Sequence, residues 1–247
     1  MQIKNTESFS FKSDSKIGVL LIHGFTGNPL SLEPIVLSFV KNNFNIELPL
    51  LPGHGTKWQD LNRVKYTDWI NTLEISLLEL SKRVNNIFVF GISMGAVLAL
   101  YLSSCHAKIN GLILVNDAII LNNPKLFFVP IIRFFLAASK AIGEDIKKPG
   151  LTEKSYDKNP TNGLYELLKL KKIVKKNLNK ISCPVLSFKS KEDHVVPIKS
   201  SLYTLKNISS KNKELIWLNN SYHVATLDYD QDIIINKSIK FIKNNSI

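Results

Sequence analysis

Cysteine is scarce in this sequence, and long apolar runs are absent from it. Cys105 and Cys183 are the only cysteines among 247 residues, which excludes a disulfide framework and a cysteine-rich zinc module. No window approaches about 18 uncharged apolar residues, so we predict no transmembrane helix. The stretch Met1–Glu7 lacks the apolar core of a secretory signal, and we therefore expect a cytoplasmic protein.

Arginine is also scarce, although the chain is strongly basic. The formal net charge is +12, from 32 basic and 20 acidic residues, yet only three of the basic residues are arginines. Nucleic-acid recognition favours arginine because its planar guanidinium binds phosphate and guanine through paired hydrogen bonds. The glycine patterns that cradle phosphate, G-x-x-x-x-G-K-[ST] and G-x-G-x-x-G, are missing as well. We interpret the charge as a solvated lysine surface and predict no nucleic-acid partner.

Short apolar runs alternate with longer helical patterns along the chain. The predicted strands are Ile17–Ile22, Phe44–Leu48, Ile87–Phe90, Gly111–Val115, Val185–Phe188 and Glu214–Leu218. The predicted helices are Thr67–Lys82, Met94–Ser103, Leu164–Leu178, Pro197–Lys206 and Asp230–Lys243. Near-continuous apolar strands that alternate with helices are typical of an α/β fold with a doubly wound, mostly parallel sheet.

A long segment without a clear strand interrupts this alternation. We predict one domain over residues 1–247, in which residues from about 119 to 179 form a small helical cap. The cap contains an apolar cluster at Phe127–Leu136, followed by the lysine-rich helix Leu164–Leu178. These two features could lay the cap on an anionic lipid surface. We favour the alternative in which the phenylalanines line a pocket and the lysines face water.

The predicted strand Ile87–Phe90 leads into a nucleophile motif. Gly91-Ile92-Ser93-Met94-Gly95 matches G-x-S-x-G and is followed directly by a predicted helix. A serine on so tight a turn projects its hydroxyl above the sheet, and only glycine leaves room two residues to either side. The alternative is a glycine-rich turn with a capping serine. In this strand–turn–helix context we predict that Ser93 is a nucleophile.

A serine nucleophile needs a base, and histidine has a suitable pKa. With a serine on such a turn, the acid and then the histidine follow later in the chain. His223, in the loop after the last predicted strand, is the predicted base. Asp193, just past the strand Val185–Phe188, is the predicted acid, and Asp117 at another strand end is its main rival. Glu192 also competes for the acid position but would point elsewhere along the turn. His194 is a poor candidate base, because neighbouring side chains seldom face each other.

The predicted oxyanion donors are two backbone amides. One belongs to Met94, directly after the nucleophile, and the other to Phe25 in the loop after the first predicted strand. His23 and His54 lie in tight loops near the site, and we expect their imidazoles to brace those loops. Asp117 is available to hold one of the same loops.

Taken together, these motifs resemble the bacterial carboxylesterase and monoacylglycerol lipase group of the α/β-hydrolases. The resemblance covers residues from about 17 to 243. It rests on His23-Gly24-Phe25-Thr26-Gly27, Pro52-Gly53-His54-Gly55, Gly91-Ile92-Ser93-Met94-Gly95, Glu192-Asp193-His194-Val195-Val196-Pro197 and Tyr222-His223-Val224-Ala225-Thr226-Leu227-Asp228. The resemblance implies an α/β-hydrolase fold with a small cap, no cofactor and no metal. It also implies Ser93, Asp193 and His223 as triad, with Phe25 and Met94 as oxyanion donors.

The function that follows is hydrolysis of a small ester or lipid substrate through an acyl-enzyme. The resemblance implies short- to medium-chain esters or monoacylglycerols. Thioesters and amides remain open on the same triad, and an ester is favoured because an alcohol leaves more readily than an amine. A non-catalytic binding protein on a hydrolase scaffold is a further alternative, although all triad residues are present. Oligomeric state cannot be read from these motifs.

Overall fold

The structure is a computed structural model that describes residues 6–141 and 144–246. Its described strands are β1 (Phe9–Phe11), β2 (Ile17–Ile22), β3 (Asn45–Leu48), β4 (Asn86–Ile92), β5 (Ile109–Val115), β6 (Ala138–Lys140), β7 (Lys158–Pro160), β8 (Val185–Ser190) and β9 (Lys213–Leu218). Seven of them form one sheet in the order β1-β3-β2-β4-β5-β8-β9. All neighbours in this sheet are parallel except β1 and β3. The predicted doubly wound, mostly parallel sheet is confirmed.

Helices cover both faces of this sheet. They are α1 (Glu33–Lys41), α2 (Trp58–Leu61), α3 (Tyr66–Ser81), α4 (Met94–Cys105), α5 (Val129–Ile132), α6 (Thr161–Asn177), α7 (Lys199–Asn207) and α8 (Gln231–Asn244). Side chains of α3, α4 and α6 pack on one face, and those of α1 and α8 pack on the other. Among the helices of residues 6–141 and 144–246, none is both long and apolar enough to cross a bilayer.

The two-residue period of the strands divides the core into two layers. In β2, Leu20 and Ile22 pack with α3 and α4, whereas Val19 and Leu21 pack with α1 on the opposite face. All four side chains are fully buried. Both faces of the central strands therefore require apolar residues, which is why these strands appear in the sequence as continuous apolar runs.

The structure contains elements that the sequence did not predict. The edge strand β1 has only three residues, and α1 begins at Glu33 directly after a short 3-10 turn. The predicted cap also contains a two-stranded antiparallel ribbon, in which β6 pairs with β7. These strands are too short and too polar to show a period-two apolar pattern, and 17 residues (141–157) separate β6 from β7.

The lysine-rich helix predicted at Leu164–Leu178 is present as α6. Its apolar side chains Leu167, Leu170 and Val174 are buried in the same core layer as α4. Lys172, Lys175 and Lys176 are exposed, but Lys171 is buried, so the expectation that the lysines of this helix face water is wrong for Lys171. This end of the predicted cap therefore packs on the face of the sheet, while the preceding residues lie over the carboxyl ends of the strands.

Candidate active site

Ser93 lies at the point where β4 ends and α4 begins. Its backbone has φ +56° and ψ −116°, a conformation that side-chain-bearing residues rarely adopt. The amide of Ser93 donates to the carbonyl of Val115, and its carbonyl accepts from Ala96 and Ala118. These bonds tie the turn to β5 and to the helix. The structure thus places the predicted nucleophile on a strained, rigidly held turn.

The two glycines of the motif are required by close backbone contacts. A Cβ on Gly91 would lie 2.3 Å from the carbonyl oxygen of Gly95, and a Cβ on Gly95 would lie 2.1 Å from that of Ile22. Real Cβ atoms do not approach backbone that closely, so no side chain fits at either position. The glycine spacing of the motif reflects the packing of α4 against β2 and β4.

The structure brings His223 and Asp193 together. The Nδ1 of His223 lies 3.0 Å from Oδ2 of Asp193, and both side chains are at least 90% buried. Because the carboxylate accepts a hydrogen bond from Nδ1–H, the proton stays on Nδ1 and the other ring nitrogen of His223 is available as a base. Ser93 and His223 line the same cavity. Ser93 and the His223–Asp193 pair therefore lie at the same carboxyl edge of the sheet.

The carboxylate of Asp193 is held by several donors. Its Oδ1 accepts from the amides of Val195 (2.9 Å) and Val196 (2.8 Å), and its Oδ2 also accepts from the ammonium of Lys189. Burial raises the pKa of Asp193, but His223 and Lys189 outweigh burial and hold this pKa well below its usual range. The carboxylate is therefore ionised wherever His223 can act as a base.

The rivals for the acid position, Asp117 and Glu192, and the alternative base His194 face elsewhere. Asp117 is fully buried, but its Oδ1 accepts from the hydroxyls of Thr204 (2.7 Å) and Ser200 (3.2 Å) on α7. Glu192 is exposed and pairs with Lys147 (2.8 Å). His194 is also exposed, and its Nδ1 pairs with Asp145 (2.7 Å). The structure thus supports the choice of Asp193 as the acid.

His23 and His54 are buried side by side beneath the site. Leu51 donates its amide to Nε2 of His23, and the Nδ1 of His23 lies 2.9 Å from the carbonyl of Gly24. Nδ1 of His54 lies 3.1 Å from the carbonyl of Pro52. Burial lowers the pKa of His23 to about 4 and that of His54 to about 3. Both imidazoles are neutral at neutral pH and brace the two loops, as predicted.

The loop after β2 lies directly against the nucleophile. A Cβ built on Gly24 would lie 3.5 Å from the Cβ of Ser93, and the next residue, Phe25, lines the cavity. Met94 is the first residue of α4 and is fully buried. Phe25 and Met94 therefore both lie close to Ser93 along the chain or across the loop, and their amides remain the predicted oxyanion donors.

The cavity beside Ser93 has a volume of about 420 Å³. Its walls come from the loop after β2, the loops after β5 and β8, and the predicted cap. Two acidic residues of the cap, Asp145 and Glu153, line it, and His223 lies near enough to Glu153 to influence its charge. Burial raises the pKa of Glu153 to about 7, and the nearby Glu144 acts in the same direction, whereas His223 lowers it. Sequence reasoning missed Glu153 because its irregular segment carries no periodicity.

Three further polar residues around the triad were also missed. Asp145 accepts from the amides of His194 and His223, each at 3.1 Å, and so ties the cap to both catalytic loops. Asn116 and Lys189 are fully buried beneath Asp193. The sequence carried a signal only for Lys189, which is a lysine at the end of an apolar strand. Within the described residues, no group of three or more His, Cys, Asp or Glu side chains is arranged to hold a metal ion.

Comparisons with known proteins identify the family of this chain. A hydrolase family described as serine aminopeptidase, S33 matches residues 152–230. The chain is 39% identical to the thermostable monoacylglycerol lipase of Bacillus sp. strain H-257, covering 96% of this chain and 94% of that protein. It is 24% identical to the carboxylesterase of Bacillus subtilis strain 168, covering 98% of each.

A solved structure is similar over the whole fold. It was reported with the metagenome-derived lipolytic enzymes LipS and LipT and superposes with a TM-score of 0.94 at 32% identity, covering 99% of this chain and 100% of that chain. Sequence identity and fold thus agree over nearly the full length. The chain therefore belongs to the bacterial carboxylesterase and monoacylglycerol lipase group of the α/β-hydrolase superfamily, and it is a serine hydrolase.

Proposed function

We propose that this enzyme hydrolyses short- to medium-chain carboxylic esters, with monoacylglycerols as the preferred class, through an acyl-enzyme on Ser93. The observation that carries the proposal is the hydrogen bond from His223 to Asp193 at the wall of the cavity that Ser93 lines. This arrangement activates a serine hydroxyl for attack on a carbonyl. The two Bacillus relatives carry these activities in their names.

The reaction divides into two displacements. Ser93 Oγ attacks the ester carbonyl while His223 takes its proton, and the amides of Phe25 and Met94 donate to the oxyanion. The tetrahedral intermediate collapses, the C–O bond to the alcohol breaks, and His223 returns the proton to that alcohol. Water, deprotonated by His223, then attacks the acyl-enzyme and releases the acid and Ser93. Asp193 orients the imidazole and stabilises its positive form throughout.

Glu153 supports a polar alcohol as the leaving group. Its carboxyl group lies in the cavity close to His223, which is the residue that delivers a proton to the departing alcohol. A carboxylate there accepts hydrogen bonds from hydroxyls such as those of glycerol. Nearby apolar side chains, Leu121, Leu126, Leu164 and Leu167, are suited to an acyl chain. We propose on this basis that residues 119–179 act as a cap that selects the substrate.

The decisive experiment compares wild type with Ser93→Ala on p-nitrophenyl esters from C2 to C16 and on 1-monoacylglycerols. We expect the substitution to lower kcat by about 10³-fold or more. The dependence of turnover on acyl chain length shows how long an acyl chain the cavity accepts. Thermal unfolding of both proteins shows that each is folded. If folded wild type cleaves no ester but cleaves p-nitroanilides or acyl thioesters, the triad is retained and the ester proposal is wrong.

A separate test addresses Glu153. We expect Glu153→Gln to lower kcat/KM about tenfold for 1-monoacylglycerols and to leave p-nitrophenyl butyrate within about twofold, because one hydrogen bond to a charged group contributes about 1.5–3 kcal/mol. Glu144→Gln is the matched control, since Glu144 bonds to Thr152. Equal losses on both substrates would show that Glu153 does not recognise the alcohol.

The surface of the predicted cap supports a second proposal, an anionic phospholipid membrane as partner. Six large apolar side chains are 45–87% exposed and form what we call the aromatic patch: Phe127, Phe128, Ile131, Phe134, Phe135 and Leu136. The expectation that these phenylalanines line the pocket is wrong. Leu126, the residue just before the patch, does line it.

Charge and position favour a lipid surface over other occupants of the patch. Arg133 lies within the patch, Lys125 and Lys140 flank it, and the whole chain carries a net charge of +12. Apolar side chains surrounded by cations bind the interface of anionic bilayers. Lys140 and Leu126 also line the cavity, so the patch adjoins the entrance to the site. Docking by this face would bring lipid next to Ser93.

Co-sedimentation with phosphatidylglycerol vesicles tests this partner. We expect wild type to bind and Phe127→Ser/Phe135→Ser to lose about tenfold or more in affinity, while turnover of p-nitrophenyl butyrate stays unchanged. The control is Ile75→Ser/Leu78→Ser, which removes two exposed apolar side chains from α3. Equal binding by both variants would overturn the proposal. So would a wild-type dimer that the patch substitutions dissociate, because the patch would then be a contact between two copies.

A further inference from the structure

Lys189 is a fully buried lysine at the end of β8. Lysine is almost never fully buried unless it is paired. Its ammonium has three donors and finds three acceptors: Oδ2 of Asp193, the carbonyl of Val196 at 2.8 Å and Oδ1 of Asn116 at 3.2 Å. Burial lowers the pKa of Lys189, and the charge of Asp193 opposes this shift. No step of the proposed reaction uses this residue.

The bond from Lys189 fixes the orientation of the Asp193 carboxylate. Backbone amides of Val195 and Val196 occupy Oδ1, so that Oδ2 is left for His223. Lys189 shares this same Oδ2 with Nδ1 of His223. The carboxylate therefore has donors on both oxygens and cannot rotate without losing several of them.

Asn116 links Lys189 to the backbone of His223. Its Oδ1 accepts from Lys189 and from the amide of Ser190 at 2.9 Å, while its Nδ2 donates to the carbonyl of His223 at 2.7 Å. The backbone of Asn116 has φ +47°, which asparagine tolerates better than most residues. Lys189 thus contacts Asp193 directly. Through the side chain of Asn116 it is also linked to the loop that carries His223.

We propose that Lys189 is a positioning residue that holds Asp193 Oδ2 on the imidazole of His223 and offsets part of the charge of Asp193. The proposal deepens the proposed function, because it rests on Asp193 and His223 as acid and base. It concerns a residue that acts only through others, since its ammonium is enclosed by protein groups.

The surrounding charges determine the sign of the effect. His223 faces the acidic groups Asp193 on the loop after β8 and Glu153 in the cap. Lys189 faces Asp193 and, less closely, Asp117 after β5 and Asp145 in the cap. Without the lysine, these carboxylates stabilise the imidazolium more strongly. The acid limb of kcat/KM therefore moves to higher pH.

The test compares pH profiles of kcat/KM for p-nitrophenyl butyrate. We expect Lys189→Met, which keeps most of the length of the side chain without its charge, to move the acid limb upward by about one pH unit. We also expect kcat on the plateau to fall about tenfold or more, with KM within about twofold. Ser187→Ala is the matched control, because Ser187 is buried two residues earlier on β8 and its hydroxyl has no partner among the described residues. That variant should retain the wild-type profile.

A second readout needs no turnover. We expect the NMR titration of the His223 ring, assigned with His223→Gln, to have a higher midpoint in Lys189→Met than in wild type. If Lys189→Met does not fold, Lys189→Gln replaces it in both measurements. If Lys189→Met loses activity while the acid limb of kcat/KM and the NMR midpoint stay unchanged, the proposal is wrong and Lys189 serves only in packing. A raised midpoint in a protein without ester turnover would support it while refuting the proposed function.

Discussion

The carboxyl edge of the sheet and the predicted cap meet at one cavity, but they are held in different ways. At the edge, Ser93, Asp193 and the buried Asn116 are bonded to strand backbone or to neighbouring strand ends. The cap segment before α6 is attached by bonds between loops, as where Asp145 accepts from the amides of His194 and His223. It also exposes large apolar side chains, including Phe135 at 87%. The predicted catalytic residues are thus held by bonds to strands and strand ends, whereas the cap presents large apolar side chains to solvent.

The largest contrast should come from replacing one carboxylate in each region. We expect Asp193→Asn to lower kcat/KM about 10³- to 10⁴-fold, because the imidazole loses its orienting anion. Asp145→Asn keeps an acceptor for the amides of His194 and His223, and we expect a loss below about tenfold. Assays on p-nitrophenyl butyrate measure both. Comparable losses would mean that the cap is as much a part of the catalytic framework as the edge.

Glycine substitutions compare the same two regions by their effect on the free energy of unfolding. Gly95→Ala places a Cβ against the backbone of β2, and we expect a loss of about 3 kcal/mol or more in the free energy of unfolding. Gly150 in the cap has φ +77°, but a Cβ added there would meet no atom within 4 Å, so Gly150→Ala should cost only about 1 kcal/mol. Urea unfolding of both variants distinguishes them. A small loss for Gly95→Ala would show that the turn is less tightly packed than these contacts imply.

The smallest effect concerns the pH dependence of stability. The pKa of Asp193 is lowered in the folded protein, so its stabilisation is lost as pH falls. The pKa of Glu153 is raised to about 7, so the folded protein loses stability as pH rises from about 4.5 through 7. Since Glu153 is partly exposed, we expect Glu153→Gln to raise Tm by about 3 °C at pH 8 and not at pH 4. The same Tm difference at both pH values would contradict this.

Much of the fold and the triad could be predicted because each depends on local constraints. The glycines around Ser93 are required by backbone packing, and the strands needed apolar residues on both faces. The order of Ser93, Asp193 and His223 follows from the strand ends on which they lie. These patterns are visible in the sequence because a side chain at either glycine would clash with backbone. A polar residue in a central strand would be buried in the apolar core.

The missed features all depend on contacts between distant segments. Lys189 and Asn116 are 73 residues apart, and Glu153 meets His223 only through the folding of the cap. The aromatic patch and the apolar face of α6 look alike in the sequence, yet one is exposed and the other is buried against α4. The sequence by itself determined the mostly parallel sheet and the glycine turn around Ser93, since strand periodicity and turn sterics are local. Tertiary packing decided which charges surround His223 and which apolar side chains face water, because burial is a property of the whole fold.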